Sequence, residues 1–278
     1  MTIPTLDELL AHSDELPSLP QIVRHLMHSI NDDRIDVDTL VHHINSDPAI
    51  VARLLAAANS SAFGLSARID SVRQAFLVLG VDRVAKIILA TSLVHRYNAR
   101  TAEFDARLLW QHTLGVATCA SVLAELTNYD PEIAFTAGLL HDIGQLLMFA
   151  VAPVAYASAL DIRQRDDVAI LTAETSVFGY DHAVAGGRLA ECWKLPPEFS
   201  EAIVAHHNPD EYSSELADII HVSEVLSHAL DLGEQPNNRV PDLSERACAA
   251  LGVSWPDFAT HFPEIEARYL GIRIALGI

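Results

Sequence analysis

Apolar residues recur every three or four positions along almost the whole chain, and nowhere does a sustained period-two alternation appear. That pattern specifies amphipathic helices and argues against a sheet-based fold. Local signals divide the helices. Asp36 can cap one that runs through Leu40, Val41 and Ile44, and Asp47–Pro48 is a stronger start, a cap acceptor followed by proline at the first helical position. Asn59–Ser60–Ser61 and Gly64 mark a loop, Asp70–Ser71 starts another helix, and Gly80 stops it before a further one from Val81 to Tyr97. Residues 15–97 are thus expected to form a set of roughly five short helices. From Phe104 the helices lengthen, and the stripe Leu108, His112, Val116, Cys119, Leu123 and Leu126 keeps helical spacing for about five turns. One helix is expected from Glu132 through His141–Asp142 to near Ala150. Others are expected over 155–165, 167–178, 181–193, 197–207 and 212–231, then a loop from Gly233 to Pro241 and a helical tail over 242–275.

Composition limits what such a chain does. Half of the 278 residues are apolar and a fifth are charged, a globular balance. The formal charge is −19, unevenly spread: residues 1–130 carry ten basic and fifteen acidic side chains, and residues 131–278 carry eight and twenty-two. A surface this acidic repels phosphate backbones and anionic lipid, so neither nucleic acid nor a membrane is an expected partner. Cys119, Cys192 and Cys248 are too few and too scattered for a disulfide framework, which fits a reducing cytoplasm. Acidic residues interrupt Met1 to Pro20, unlike a signal peptide. The uncharged stretch Ile143 to Leu160 is long enough to imitate a membrane span, but Pro153 divides it, and it reads as one buried helix and the start of another.

Histidine placement carries the chemistry. His112 lies within an apolar stripe, and His141–Asp142 lies in a segment of mostly apolar or small residues. His182 follows Asp181 at a helix start, and His206–His207 extends the face set by Phe199 and Ile203. Buried imidazoles and carboxylates need partners. A divalent cation is one such partner, because it accepts neutral imidazole together with carboxylate oxygen. A lone histidine on an apolar face is more often a hydrogen-bonded core residue, and His12, His25, His28, His42, His43, His95, His228 and His261 are read that way or as exposed. The succession of His112, His141–Asp142, His182 and His206–His207 on separate helices is much harder to obtain by chance.

Several motifs resemble those of the HDOD proteins, relatives of the HD-domain metal-dependent phosphohydrolases. They are Leu16–Pro17–Ser18–Leu19–Pro20; Ser46–Asp47–Pro48 with Leu54–Leu55 and Ala58–Asn59–Ser60; and Ile69 to Gly80. They continue with Trp110–Gln111–His112, Ala137 to Gly144, Glu174 with Phe178 to His182 and Gly186–Gly187, Trp193 to Pro196, and Ala205 to Pro209. The resemblance covers about residues 14–210. It implies an all-α, HD-superfamily multi-helix domain, with an N-terminal subdomain of short helices at 14–97 and an HD-like core at 104–210. Residues 211–278 would form a C-terminal helical extension packing on that core.

The resemblance also implies a metal site. His112, His141 and Asp142 match metal-binding positions of HD enzymes, and Glu224 lies in the helix that supplies a later acid. His182, His206 and His207 resemble the extra ligands of the two-metal HD-GYP branch, which hydrolyses cyclic di-GMP. His141 and Asp142 are the implied catalytic pair. The implied cofactor is one or two divalent ions, with Fe, Mn, Zn and Ni all compatible. Two features depart from that branch. Gln145 stands where it has a lysine, and Asn208–Pro209–Asp210–Glu211–Tyr212 replaces its Gly-Tyr-Pro signature. The resulting expectation is a signal-transduction regulator that keeps an HD-type metal site and acts mainly through signalling-protein partners. The alternative is an active metal-dependent phosphohydrolase for a phosphodiester or cyclic dinucleotide.

Overall fold

A computed structural model describes residues 3–11, 37–45, 48–59, 68–96, 104–233 and 238–276. The described residues are helical and contain no strand. In chain order they form α1 (Leu6–Ala11), α2 (Val37–Asn45), α3 (Pro48–Ala58), α4 (Val72–Arg96), α5 (Ala106–Thr127), α6 (Pro131–Leu140) and α7 (Ile143–Val151). There follow α8 (Pro153–Asp166), α9 (Ile170–Phe178), α10 (His182–Cys192), α11 (Pro197–Ala205), a short 3-10 turn (Pro209–Glu211), α12 (Glu215–Ala229), α13 (Glu245–Leu251) and α14 (Trp255–Leu276). The expected caps at Asp36 and Asp47, and the loop from Ser60 through Gly64, lie outside the described residues.

Five helix starts show side-chain capping by Asp or Ser. Asp105, Asp130, Asp181, Ser214 and Ser244 each accept a backbone N–H in the first turn of α5, α6, α10, α12 and α13. Gly80, at φ 82° and ψ 170°, kinks α4 where the sequence stops one helix and starts another. One expectation is corrected. The helix foreseen from Glu132 to Ala150 is two helices, α6 and α7, and they part at His141–Asp142. Asp142 leaves helical geometry at φ −99°, ψ 12°, and its carboxylate makes no cap hydrogen bond to α7. Apolar periodicity runs straight through this break, because both helices are buried on nearly every face.

At the centre stands α5, buried along most of its length and packed against α6, α12 and α14. Trp110, Leu114, Val116 and Leu123 on this helix are at most 2% exposed. Truncating a side chain such as Trp110 to alanine costs about 3–5 kcal/mol through lost transfer and the cavity left behind. The apolar window Pro131–Val151 is long enough to span a bilayer, but 83% of it is buried inside the protein. It is thus accounted for as core. The C-terminal helices close the other side: α13 packs on α12, and α14 packs on α3, α4 and α5. Arg246 ties this end down through ion pairs to Asp210 and Asp218 and a 2.8 Å hydrogen bond to the Pro209 carbonyl.

Candidate metal centre

Seven side chains from separate helices meet inside the core formed by α5 to α12. His112 projects from the middle of α5. His141 and Asp142 occupy the break between α6 and α7, His182 begins α10, His206 and His207 follow α11, and Glu224 lies on α12. Two glycines allow the convergence. A Cβ on Gly138 would lie 2.7 Å from the Ala117 Cα, so glycine lets α6 approach α5 and brings His141 toward His112. A Cβ on Gly144 would lie 1.9 Å from the His182 carbonyl oxygen, so the first turn of α7 presses directly on the start of α10.

The seven residues fall into two donor groups, each with its ligating atoms within 4.8 Å of one another: His112, His141 and Glu224 in one; Asp142, His182, His206 and His207 in the other. Asp142 joins them. Its Oδ1 is 3.0 Å from His182 Nε2 and 3.9 Å from His206 Nε2. Its Oδ2 is 3.5 Å from His141 Nε2 and 3.7 Å from His112 Nε2. Glu224 Oε2 lies 3.1 Å from His112 Nε2 and 3.2 Å from His141 Nε2. The rings crowd together, His206 on His207 at 3.9 Å between centroids and His141 on His206 at 5.0 Å. His112, His141, Asp142, His182, His206 and Glu224 are all at most 5% exposed.

Backbone carbonyls set the tautomers. His141 Nδ1–H donates to the Gly138 carbonyl at 2.7 Å, and His206 Nδ1–H donates to the Ile203 carbonyl at 2.6 Å. A carbonyl only accepts, so in each neutral ring the Nε2 carries a lone pair turned inward. His182 Nδ1–H donates to Glu174 Oε2 at 2.7 Å, which turns its Nε2 inward too. His141 Nε2, His206 Nε2 and Glu224 Oε2 have no hydrogen-bond partner although all are buried. Unpartnered buried polar atoms are costly, and here they aim at common points.

The electrostatics record the same deficit of positive charge. Burial pulls the His141 imidazole down, but Asp142 and Glu224 outweigh it and raise its pKa to about 9. His182 is likewise held well above its ordinary value: burial opposes this, and the Glu174 and Asp142 charges prevail. Burial would raise Asp142 and Glu224, yet the surrounding histidines hold both well below the usual carboxylate range. Burial, with His207 and other neighbouring cationic rings, pushes His206 well down. Burial and His182 push His207 to about 4. Without a cation, protons on His141 and His182 offset part of the charge of Asp142, Glu224 and Glu174. Five imidazoles and two carboxylates form a nitrogen–oxygen donor set that suits a divalent transition ion, and the orphaned Nε2 and Oε2 atoms are where such an ion would bond. The residues fit the group.

Two neighbours had no assigned role in the sequence reading. Glu174, wholly buried, also accepts the His182 backbone N–H at 2.9 Å. His228, read as a core or exposed residue, lies one turn after Glu224, with its Nε2 3.1 Å from Glu224 Oε1 and its ring 4.9 Å from that of His112. Its i+4 spacing from Glu224 was the available signal. The carbonyl of His206 accepts from His221 Nδ1–H at 2.8 Å, and His221 Nε2 accepts the Ser244 N–H at 3.0 Å, linking the centre to the C-terminal helices.

The fold and this centre define a helical domain of the HD superfamily. The HDOD domain profile matches residues 16–209, and the chain belongs to that family. It is similar over 96% of its length to a Shewanella amazonensis SB2B protein provisionally named a phosphohydrolase, with 26% identity, 98% of that chain covered and a TM-score of 0.77. A Geobacter sulfurreducens HDOD domain protein of unknown function shares the fold at 24% identity, with 96% of each chain covered and a TM-score of 0.78. Ribonuclease Y of Geotalea uraniireducens is 27% identical over 190 residues, which are 66% of this chain and 30% of that protein. The chain thus spans under a third of the length of that curated relative.

Proposed function

We propose that this HDOD protein binds two divalent cations and hydrolyses a phosphoester at the centre between α5, α6, α7, α10, α11 and α12. The observation that carries the reading is the placement of Asp142, whose two oxygens face two separate donor groups. His112, His141 and Glu224 would hold one ion, His182, His206 and His207 the other, and Asp142 would serve both. When bound, such ions supply Lewis acidity and lower the pKa of a bound water. The chain's own residues fix the donor geometry: the Gly138 and Ile203 carbonyls and Glu174 lock the rings, and burial excludes competing water. Two dications among the carboxylates of Asp142, Glu224 and Glu174 would leave a local charge of about +1, a positive centre in an otherwise acidic protein that suits a phosphate anion. Ribonuclease Y, by its name, cleaves RNA, so an RNA phosphodiester belongs among the candidate substrates beside cyclic dinucleotides.

A second reading keeps the metal as a structural element of a regulatory module that signals through protein partners in the cytoplasm. Gln145 favours it. Its Oε1 accepts the Tyr156 hydroxyl at 3.0 Å, so the position that carries a lysine in the HD-GYP branch is tied into the core as an amide. Elemental analysis of protein purified without a histidine tag tests the shared premise, with two ions per chain expected. Hydrolysis assays with bis(p-nitrophenyl) phosphate, cyclic dinucleotides and a short RNA, with Mn²⁺ or Fe²⁺ added, then separate the two readings. Metal-loaded protein inert toward all three would overturn the enzymatic one. Absence of metal would overturn both.

A further inference from the structure

Glu224 divides its two oxygens between different neighbours. Oε2 faces the rings of His112 and His141 at 3.1 and 3.2 Å. Oε1 lies 3.1 Å from Nε2 of His228, one turn further along α12. The His228 ring also stands 4.9 Å from that of His112, centroid to centroid. Its side chain is 15% exposed against 6% for Glu224, so the ring occupies the outer side of the carboxylate. Its other nitrogen, Nδ1, is 2.5 Å from Oδ1 of Asn238, in the chain that follows α12.

The amide of Asn238 decides which atoms donate. Its Nδ2 gives one proton to the His228 carbonyl at 2.8 Å and the other to Asp231 Oδ1 at 2.9 Å. A carbonyl and a carboxylate only accept, so Asn238 turns its oxygen to the ring, and Nδ1 carries a proton. A ring protonated at Nδ1 alone would set the Nε2 lone pair against the Glu224 oxygen. The 3.1 Å approach is favourable only with a proton on Nε2 as well, which makes it a charge-assisted donor. The chain leaving α12 closes on the same donor group. Gly233, at φ 116°, lies so near that a Cβ would sit 3.0 Å from the His112 Cα, and the Ser227 hydroxyl donates to the Leu232 carbonyl at 3.3 Å.

We infer that His228 is a positioning residue of the metal centre: its Nε2–H holds Glu224 Oε1, so that Oε2 alone turns to the ion shared with His112 and His141. The inference rests on the two-ion reading and adds to it how one ligating carboxylate is oriented. Without that donor the carboxylate is free to turn about its terminal bond and offer either oxygen. Ligating carboxylates need such partners, and losing one costs metal affinity. His228 is not itself a ligand, because both its nitrogens carry protons and neither has a lone pair to give. Each half of the centre then has its own orienting partner, Glu174 behind His182 and His228 behind Glu224.

Calorimetric titration of the metal-free full chain with Mn²⁺ tests this in the His206→Ala background, where only the site of His112, His141 and Glu224 is expected to remain. His228→Leu is expected to weaken binding there by about 10–100-fold, the range for losing a partner of a ligating group. His228→Gln is expected to stay close to the parent, because its amide N–H replaces Nε2–H on the same oxygen. Asn238→Ala, at an exposed position, is expected to fold and to show a smaller loss in the same direction. Helical circular dichroism controls for folding. Unchanged affinity in His228→Leu overturns the inference, and where that variant does not fold, unchanged affinity in Asn238→Ala does so. Binding as weak in His228→Gln as in His228→Leu also overturns it, because the ring would then be a ligand. If the unsubstituted chain takes up no metal, the two-ion reading falls and this inference with it; unaltered variants of a metal-binding chain sink the role of His228 alone.

Discussion

Glu174 Oε2 accepts two hydrogen bonds from His182, one from its backbone N–H at 2.9 Å and one from its ring Nδ1–H at 2.7 Å. One buried carboxylate thus fixes where α10 begins, which tautomer its first residue adopts and where Nε2 points. That atom stands 3.0 Å from Asp142 Oδ1 and 3.1 Å from His207 Nε2. An amide at position 174 keeps the shape and loses the charge that supports the ring. Glu174→Gln is expected to weaken binding of the metal held by His182, His206 and His207 by 10–100-fold, the usual range for a partner of a ligating histidine. Isothermal titration of metal-free protein with Mn²⁺ checks this, with unaltered helical circular dichroism as the fold control. Unchanged affinity would mean that His182 needs no orienting partner.

Asp142 is expected to affect metal content differently from every other residue of the centre. It touches both donor groups, whereas His206 serves one and Glu224 the other. Asp142→Asn is expected to lose both ions, His206→Ala one, and Glu224→Gln one. Inductively coupled plasma measurements on tag-free variants give the stoichiometries directly. Equal loss in all three would show a single ion shared by all seven side chains.

The sequence made the fold readable because apolar spacing and cap residues both report on single helices. Asp70–Ser71 and Asp181 read as helix starts, and Ser71 Oγ accepts the Gln74 N–H while Asp181 caps α10. The site was readable in its residue types, and the structure brings His112, His141, Asp142, His182, His206, His207 and Glu224 together. The break at His141–Asp142 was hidden, because periodicity measures which faces are buried, and in α6 and α7 nearly every face is. The resemblance implied two sets of donors, but how Asp142 joins them was hidden: it depends on which of its oxygens faces which helix, a three-dimensional relation.

The metal-free protein is expected to be most stable near pH 6.5 and to weaken on both sides. His207 is held to about 4 by burial and by His182, while an unfolded histidine titrates near 6.5. Between those values the unfolded chain binds more protons, so stability falls as pH drops through that window, on the order of 3 kcal/mol for this group alone. His206, pushed down by burial and His207, acts in the same direction, and Asp142 and Glu224 add to the loss once pH falls through the carboxylate range. His141 acts on the alkaline side. Burial opposes its shift, but Asp142 and Glu224 raise it to about 9, so its contribution is complete below 6.5 and vanishes as pH rises through 9. Melting curves in EDTA between pH 4 and 10 check the shape. A monotonic curve would contradict these assignments. Metal ligands must be deprotonated, so added Mn²⁺ is expected to raise Tm most above neutral pH and least near pH 4.

Gly144 carries the closest approach in the centre. A Cβ there would meet the His182 carbonyl oxygen at 1.9 Å and the Gly186 backbone nitrogen at 2.7 Å. Both are backbone atoms, so no rotamer change relieves the overlap, and α7 and α10 must separate. Gly144→Ala is therefore expected to destabilise the protein by ~3 kcal/mol or more, the upper end for overpacking a filled interior. Separation of those helices also moves Asp142 away from His182, so the variant is expected to lose the ion held with His206 and His207 while His112, His141 and Glu224 keep theirs. Gly252→Ala is the matched control. Its Cβ meets nothing within 4 Å, and only its positive φ of 64° resists the change. Backbone strain of that kind costs about 1 kcal/mol and leaves the centre untouched. Urea unfolding and metal content measured on both variants separate packing from backbone strain. Gly144→Ala with full metal content and stability equal to the control would show that the α7–α10 contact does not set the spacing of the centre.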